Sequence, residues 1–450
     1  MKGIALVVAL CACGHGAPAA PPPPPKDARP ADISVVEVPA QPLGEPDLAS
    51  FRWRSRGGQS AFRTAVKAEH RGDWEAVATS CKEALGADPG NLEAAWLYAI
   101  ALAKTGHLDQ VLAPLVTAGT GDFGKWAFAS LAQPALQPWL ATPVGEAWRH
   151  RVDQDRAGYL AAIGRGTIVT SHGDVFAFDP ETKRFLRLTR TYGSVIGTLP
   201  ARASHRIAYV TRTKDKKGTK LGVGIINLMT GRTSHPIKFP GASVRVAMQP
   251  KGVAVRSGTT WQLLDEDGHL EPLPAPKLGE WLEVKKTAKL VRVPPDGIAG
   301  DWDDQGLASA IRLGQTSRAI TVPGQIDGSS LAWSPDRSHL AFVALLDDCK
   351  PNGNAAAAFV AEASTGKVTE LERASQGLAV EWVAERTLAL AGDHGVELVD
   401  LGGAPVAIAD ADGLAAPRRR PRCVPEDTTE PPPDEDPGVG DEAPDAGVVP

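Results

Sequence analysis

Two periodicities divide the chain. Over residues 60–118 apolar side chains recur at helical spacing in an Ala- and Leu-rich texture. Two passages there align at a constant offset of 34: Phe62 with Trp96, Gly72 with Gly106, Trp74 with Leu108, Val77 with Val111, Cys81 with Leu115 and Ala84 with Ala118. This spacing predicts two antiparallel helix pairs, each turning at a glycine. One such pair cannot bury its own apolar face, so a further helical unit is expected. Residues 123–150 offer it through Trp126, Phe128, Leu131, Leu136, Trp139, Leu140 and Trp148, and Pro134, Pro138 and Pro143 predict short capping helices there.

From about Ala157 the pattern changes to short strands punctuated by Gly, Pro and Asp. Six places share an apolar strand, a polar turn and a second strand, beginning at Val175, Val223, Thr260, Ala308, Ala358 and Val396. The turn residue in register is Asp179, Asn227, Asp265, Arg312, Glu362 or Asp400, at intervals of 38 to 50 residues. That mean interval is the length of a four-stranded propeller blade. An inner hairpin should precede each outer one, and W-S-P-D-R-S-H-L-A-F at residues 333–342 is its clearest copy, with others at 246–255, 204–210, 382–390 and, most altered, 281–293. In this turn Pro335 presets φ, Asp336 bonds back to the backbone, and Arg337 falls where positive φ is expected. The predicted fold class is therefore a short helical-repeat domain followed by a six-bladed β-propeller, a multidomain arrangement of α and all-β parts.

The 34-residue period, with G-D-W-E-A-V-A-T-S-C-K-E-A-L-G-A-D-P at residues 72–89, resembles the tetratricopeptide repeat. The second copy departs from it through Pro114 inside its second helix. W-S-P-D before an apolar strand resembles TolB-like and WD-type propeller repeats, whose usual glycine after the Asp is Arg337 here. These resemblances imply peptide or protein binding on the concave helical face. For the propeller they imply a fold more than an activity.

Composition adds the ends of the chain. Met1-Lys2 and the apolar run 3–12 read as an export signal too short to span a bilayer. Leu10-Cys11-Ala12-Cys13 resembles the bacterial lipobox, which implies that Cys13 is the lipidated first residue of the mature protein; an ordinary signal cleaved near residues 17–20 is the alternative. A Pro-rich stretch with five consecutive prolines at 21–25 reads as an extended spacer. The formal net charge is −5, but residues 425–450 hold nine acidic groups and no basic one, leaving the body near neutral and arguing against nucleic-acid binding. The expected layout is a signal at 1–12, a linker at 13–50, a helical domain at 51–152, a propeller at 153–424 and an acidic disordered tail at 425–450.

Chemistry is sparse in this pattern. His172, His205, His269, His339 and His394 fall at turns before strands, none with a His or carboxylate partner at metal-ligand spacing in sequence, so neither a metal nor a catalytic base is expected. There is no G-x-S-x-G elbow, and the glycine pair Gly222 and Gly224 leads to Asn227 where a dinucleotide fingerprint needs glycine. No cofactor is implied. Cys81 belongs on a buried helix face, while Cys349 and Cys423 lie near strands of adjacent blades and are expected to form a disulfide in an oxidising compartment. The functional expectation is a non-enzymatic protein-interaction scaffold, extracytoplasmic and held to the membrane by its lipid anchor, with envelope or periplasmic proteins as partners. The alternative is a propeller enzyme or a small-molecule or glycan sensor that uses the central channel.

Overall fold

A computed structural model describes residues 37–52, 57–201, 205–215, 218–241, 243–276, 280–285, 288–292, 295, 297–314, 319–346 and 353–416. From Val38 onward they form one compact unit. Helices come first: α1 (Gln59–His70), α2 (Trp74–Ala87), α3 (Leu92–Lys104), α4 (Leu112–Gly121), α5 (Phe123–Ala132), α6 (Gln137–Leu140) and α7 (Pro143–Arg165). Asp73 and Asn91 cap α2 and α3 by accepting from the N–H groups of Ala76 and Ala94. Thr142 does the same for α7, ahead of Pro143 at its first position.

The 34-residue offset is visible in the backbone. Gly72 and Gly106 both turn the chain at positive φ, +70° and +84°, with open space around the missing Cβ, so conformation rather than crowding requires glycine. Val77 and Val111, Cys81 and Leu115, and Ala84 and Ala118 are all fully buried. Pro114 explains where the copies part. A helix starting at Leu108 would need an N–H from residue 114, so the chain makes a 3-10 turn at Leu108–Gln110 and begins α4 at Leu112, with Pro114 in its first turn.

Among the described residues the strands form a β-propeller whose six repeats are distributed over five antiparallel sheets. From the inside out, the first blade is Gly413–Leu414, Thr167–Ser171, Asp174–Asp179 and Arg184–Arg187. The last strand among the described residues is thus the innermost strand of the first blade, pairing Leu414 with Val169 and Gly413 with Thr170, and this closes the ring. The second blade is Val195–Ala201, Arg206–Asp215 and Gly218–Asn227, with Arg232–Thr233 and Ile237–Phe239 both on its outer edge. The third runs Val244–Gln249, Gly252–Ser257, Thr260–Leu264 and Leu270–Leu273, and the sixth Ala379–Trp382, Thr387–Gly392, Gly395–Asp400 and Val406–Ile408.

The fourth repeat is shared between its neighbours. Its hairpin, Glu280–Val284 with Ala288–Arg292, pairs onto the inner edge of the third blade, Trp281 opposite Ala247 and Val284 opposite Val244. Its later strands, Ile298–Gly300, Leu307–Leu313 and Ala319–Asp327, join the fifth blade (Ala332–Trp333, His339–Leu345, Ala356–Glu362, Val368–Ala374) by pairing Gln325 with Leu345 and Ile326 with Ala344. Gly324 makes that handover possible. It sits at φ +83°, and a Cβ there would lie 2.1 Å from the Leu345 carbonyl oxygen.

Five of the six register residues stand in or just past the third strand of their repeats, Arg312 falls in the fourth strand of the divided repeat, and most cap the turn that follows. Asp179 accepts from Glu181 N–H and the Thr182 hydroxyl, Asn227 from Met229 and Thr230 N–H, Asp265 from Asp267 and His269 N–H, and Glu362 from the hydroxyls of Ser364 and Thr365. The repeat is therefore kept by turn chemistry. Arg337 takes φ +57°, as the W-S-P-D pattern requires.

Two boundaries differ from the sequence expectation. The segment assigned to a linker through residue 50 packs from Val38 on: Val38, Leu48 and Phe51 are buried, Gly44 N–H donates to the Thr120 carbonyl, and Glu45 bridges to Phe185 on the outer edge of the first blade. Its Pro- and Ala-rich start hid the few apolar anchors that follow. The helical layer also continues past the expected 152/153 boundary, because α7 runs unbroken to Arg165 and buries Trp148, Val152, Tyr159 and Ile163. Cys13, Cys349, Cys423 and the tail at 425–450 lie outside the described residues.

Candidate binding surfaces

The helical layer meets the first blade through buried charges. Asp174 accepts from the Arg187 guanidinium at 2.8 Å, the Thr189 hydroxyl at 2.8 Å and Thr191 N–H at 2.8 Å, with both Asp174 and Arg187 buried. Arg190 reaches across to Asp122, the residue before α5, with both of its donating nitrogens. Burial pushes the Asp122 carboxyl up, but the charge and hydrogen bonds of Arg190, with Arg187 and Lys125 behind it, outweigh burial and hold it below the usual carboxylate range. Tyr159 packs beside this pair against Phe123, ring centroids 5.0 Å apart, and burial pushes its hydroxyl up to about 12. At the end of α7, Arg165 makes a bidentate pair with Asp179, both bonds 2.8 Å. Each of these carboxylates is paired with an arginine, and the Arg190–Asp122 and Arg165–Asp179 pairs orient the helices on the propeller.

The helical layer carries its own aromatic surface. Trp96 of α3 and Trp126 of α5 stack at 4.5 Å and 17°, and Lys125 lies 3.8 Å from the Trp126 ring while pairing with Glu93 at 3.6 Å. Lys104 stands 5.6 Å over Trp74, and Arg156 stands 5.5 Å over Phe128, which is 38% exposed. Aromatic rings edged by cations are the side chains that dominate protein contacts.

The histidines separate into local roles. His172, at φ +47°, faces Ser171 Oγ (3.0 Å) and Asp412 (3.6 Å) with Nδ1 and Arg52 (2.8 Å) with Nε2. Serine and carboxylate share one ring nitrogen, and the other is taken by a cation, so no base is left for the serine. His339 Nδ1 lies 2.7 Å from Ser338, whose hydroxyl donates to Asp336. That carboxylate accepts from Ser334, from the Ser338 hydroxyl and from Ser338 N–H, which together hold it down to about 2.

Asp265, Asp267 and His269 have donor atoms within 4.8 Å of one another, so His269, expected to lack a carboxylate partner at ligand spacing, has one in Asp265 because the turn folds the two back together. The contacts of the cluster are internal to the turn: His269 Nδ1 lies 3.0 Å from Asp265, whose carboxyl is held low first by His269 N–H. The cluster reads as a turn. Cys81 is buried, and its thiol is pushed up to about 12 by burial and then by Glu69, so it is an inert core residue.

The strand Ala288–Arg292 comes against the inner strand of the second blade and the 3-10 turn Gly328–Ser330.

No family model matches the chain, and no curated protein matches it. Among solved structures it is similar to TolB from Acinetobacter baumannii, 14% identical over 58% of this chain and 69% of that one, with a TM-score of 0.32. It is also similar to Kluyveromyces lactis Hsv2 (11% identical, 53% and 72% covered, TM-score 0.24) and to the tricorn protease (12% identical, 53% and 28% covered, TM-score 0.16). Likenesses at these scores carry no argument, and the propeller stands on the strand pairing above.

Proposed function

We propose that this protein is a non-enzymatic interaction scaffold at the bacterial envelope, tethered through a lipidated Cys13 and presenting its tetratricopeptide-like helices to a protein partner. The observation that carries this reading is the mounting of the helices. Arg190–Asp122 and Arg165–Asp179 orient them on the propeller, with Arg187–Asp174 bracing the blade behind, while Trp74, Trp96 and Phe128 edge their outer surface, Trp96 stacked on the buried Trp126, with Lys104, Lys125 and Arg156 alongside. A buried ion network contributes little net stability and much geometry, which is what a presenting surface needs.

Affinity capture of the intact protein from detergent-solubilised membranes tests it. The reading expects a recurrent partner that is lost with Lys125→Glu and Phe128→Ala, and membrane association that is lost with Cys13→Ser. Absence of any recurrent partner, together with turnover of a small molecule by the pure protein, would overturn it.

A further inference from the structure

We propose that the third blade, at the end of the ring where its inner strand begins, holds a compact polyvalent oxyanion, either a phosphate or a small di- or tricarboxylate. A cavity of about 200 Å³ opens there, lined by Ser243, Val244, Arg245, Arg256, Gly258 and Glu283. Strand register puts the two arginines together: Arg245 and Arg256 are direct partners across the ladder of the two inner strands. Like charges placed directly opposite each other on a sheet are destabilising unless a counter-charge sits between or beside them.

Among the described residues the counter-charge is insufficient. Glu283, opposite Arg245 on the other side, is shared between Arg245 (3.2 Å) and Lys285 (3.4 Å). Burial pushes the Glu283 carboxyl up, but the hydrogen bond and charge of Arg245 and then Lys285 hold it below its ordinary range, so it is spent on those two cations. Arg256 has only the Gly258 carbonyl for its Nε, at 3.2 Å, and no ion pair among the described residues. The Nε of Arg245 is buried without a hydrogen-bond partner.

Two guanidinium forks facing one cavity match the planar or tetrahedral oxygens of carboxylate or phosphate. The volume decides the size of the ligand, since sites for drug-sized molecules begin near 300 Å³. This site is separate from the helical surface and goes beyond the interaction reading.

Calorimetric titration of the full-length protein with inorganic phosphate, and separately with citrate, tests the proposal, the two arms separating phosphoryl from carboxylate chemistry. The expected result is one-site binding of at least one of them that weakens with added salt. It falls about tenfold or more in Arg256→Gln and in Arg245→Gln, and by less in Arg256→Lys, which keeps the charge but loses the fork. Arg373→Gln, on an exposed pair with Glu370, leaves it unchanged. Arg256→Gln and Arg256→Lys alter a half-buried side chain, and an unchanged thermal midpoint shows that they remain folded. Absence of binding by both anions, or an equal loss in Arg373→Gln, overturns the site.

Discussion

The sixth, first and second blades and the arc from the third to the fifth are built from the same repeat, yet they solve the problem of exposed strand edges differently. In the first group each sheet keeps its own strands, because other parts of the chain cover the flanks. Glu45 bridges to the outer edge of the first blade, and Leu48 and Phe51 fill the space it shares with the sixth, beside Phe176, Phe185, Ala379 and Val396. Helix α7 inserts Tyr159, Ala162 and Ile163 among Val175, Leu186 and Ile207 of the first two blades. In the other arc no such cover exists among the described residues, and strands recruit each other: the third sheet reaches six strands and the fifth seven. An uncovered edge is an unpaired ladder, and pairing with the neighbouring repeat is one way to remove it. The fourth repeat is what this rearrangement consumed.

Several substitutions would break or sharpen that contrast. The largest effect is expected for Asp174→Ala, which strands the buried Arg187 charge and should cost about 3–5 kcal/mol in denaturant unfolding. The same change at Glu283, whose partners are partly exposed, should cost under about 1 kcal/mol. Phe51→Ala removes a buried ring from the strap and should cost about 3 kcal/mol, with amide exchange rising first in the first and sixth blades. If exchange rose equally in the third blade, the idea of a locally clamped arc would fail.

Two glycines give the next step down. Gly324→Ala places a methyl against the Leu345 carbonyl at positive φ and should cost about 2–3 kcal/mol, loosening the merged sheet at Gln325 and Ile326. Gly72→Ala, with the same sign of φ but open space, should cost about 1–2 kcal/mol by thermal unfolding. Equal effects would mean that the handover at Gly324 is slack.

The smallest expected effect is on pH. The Asp122 and Asp179 carboxyls are held below their ordinary range by Arg190 and Arg165 against the opposing pull of burial. Their contribution is present above the unfolded value, near 3.8, and is lost as pH falls through the lower folded values. Glu372 of the fifth blade has the opposite sign. Burial and then Glu397 push its carboxyl up, so its contribution is full below the ordinary value, near 4.5, and is lost as pH rises through the raised one. Acidification below about pH 4 should thus loosen the clamped arc before the fifth blade, as read by amide exchange, and the reverse order would contradict this assignment.

Among the candidate sites, what could be read without coordinates was what a few neighbouring residues decide. The turn histidines His172 and His205 were placed by pattern, and both take positive φ. The Arg245–Arg256 pair had no signature, since the two residues are eleven apart and become neighbours only through strand register. The Asp122–Arg190 and Asp174–Arg187 pairs were equally invisible, because their partners come from separate elements or separate strands.

The sequence by itself determined the two textures, the 34-residue helix pairing with its glycine turns, the six-fold strand register and the left-handed turn at Arg337. Each depends on hydrogen bonds or φ values within four or five residues, and such preferences are written in the local residue types. Only the tertiary structure decided that Gly413–Leu414 closes the first blade, that residues 38–51 form a strap instead of a spacer, and that the fourth repeat is divided. A two-residue strand has no periodicity to read, a strap is held by a few anchors in a polar stretch, and the choice between neighbouring edges is made by which of them is left unpaired.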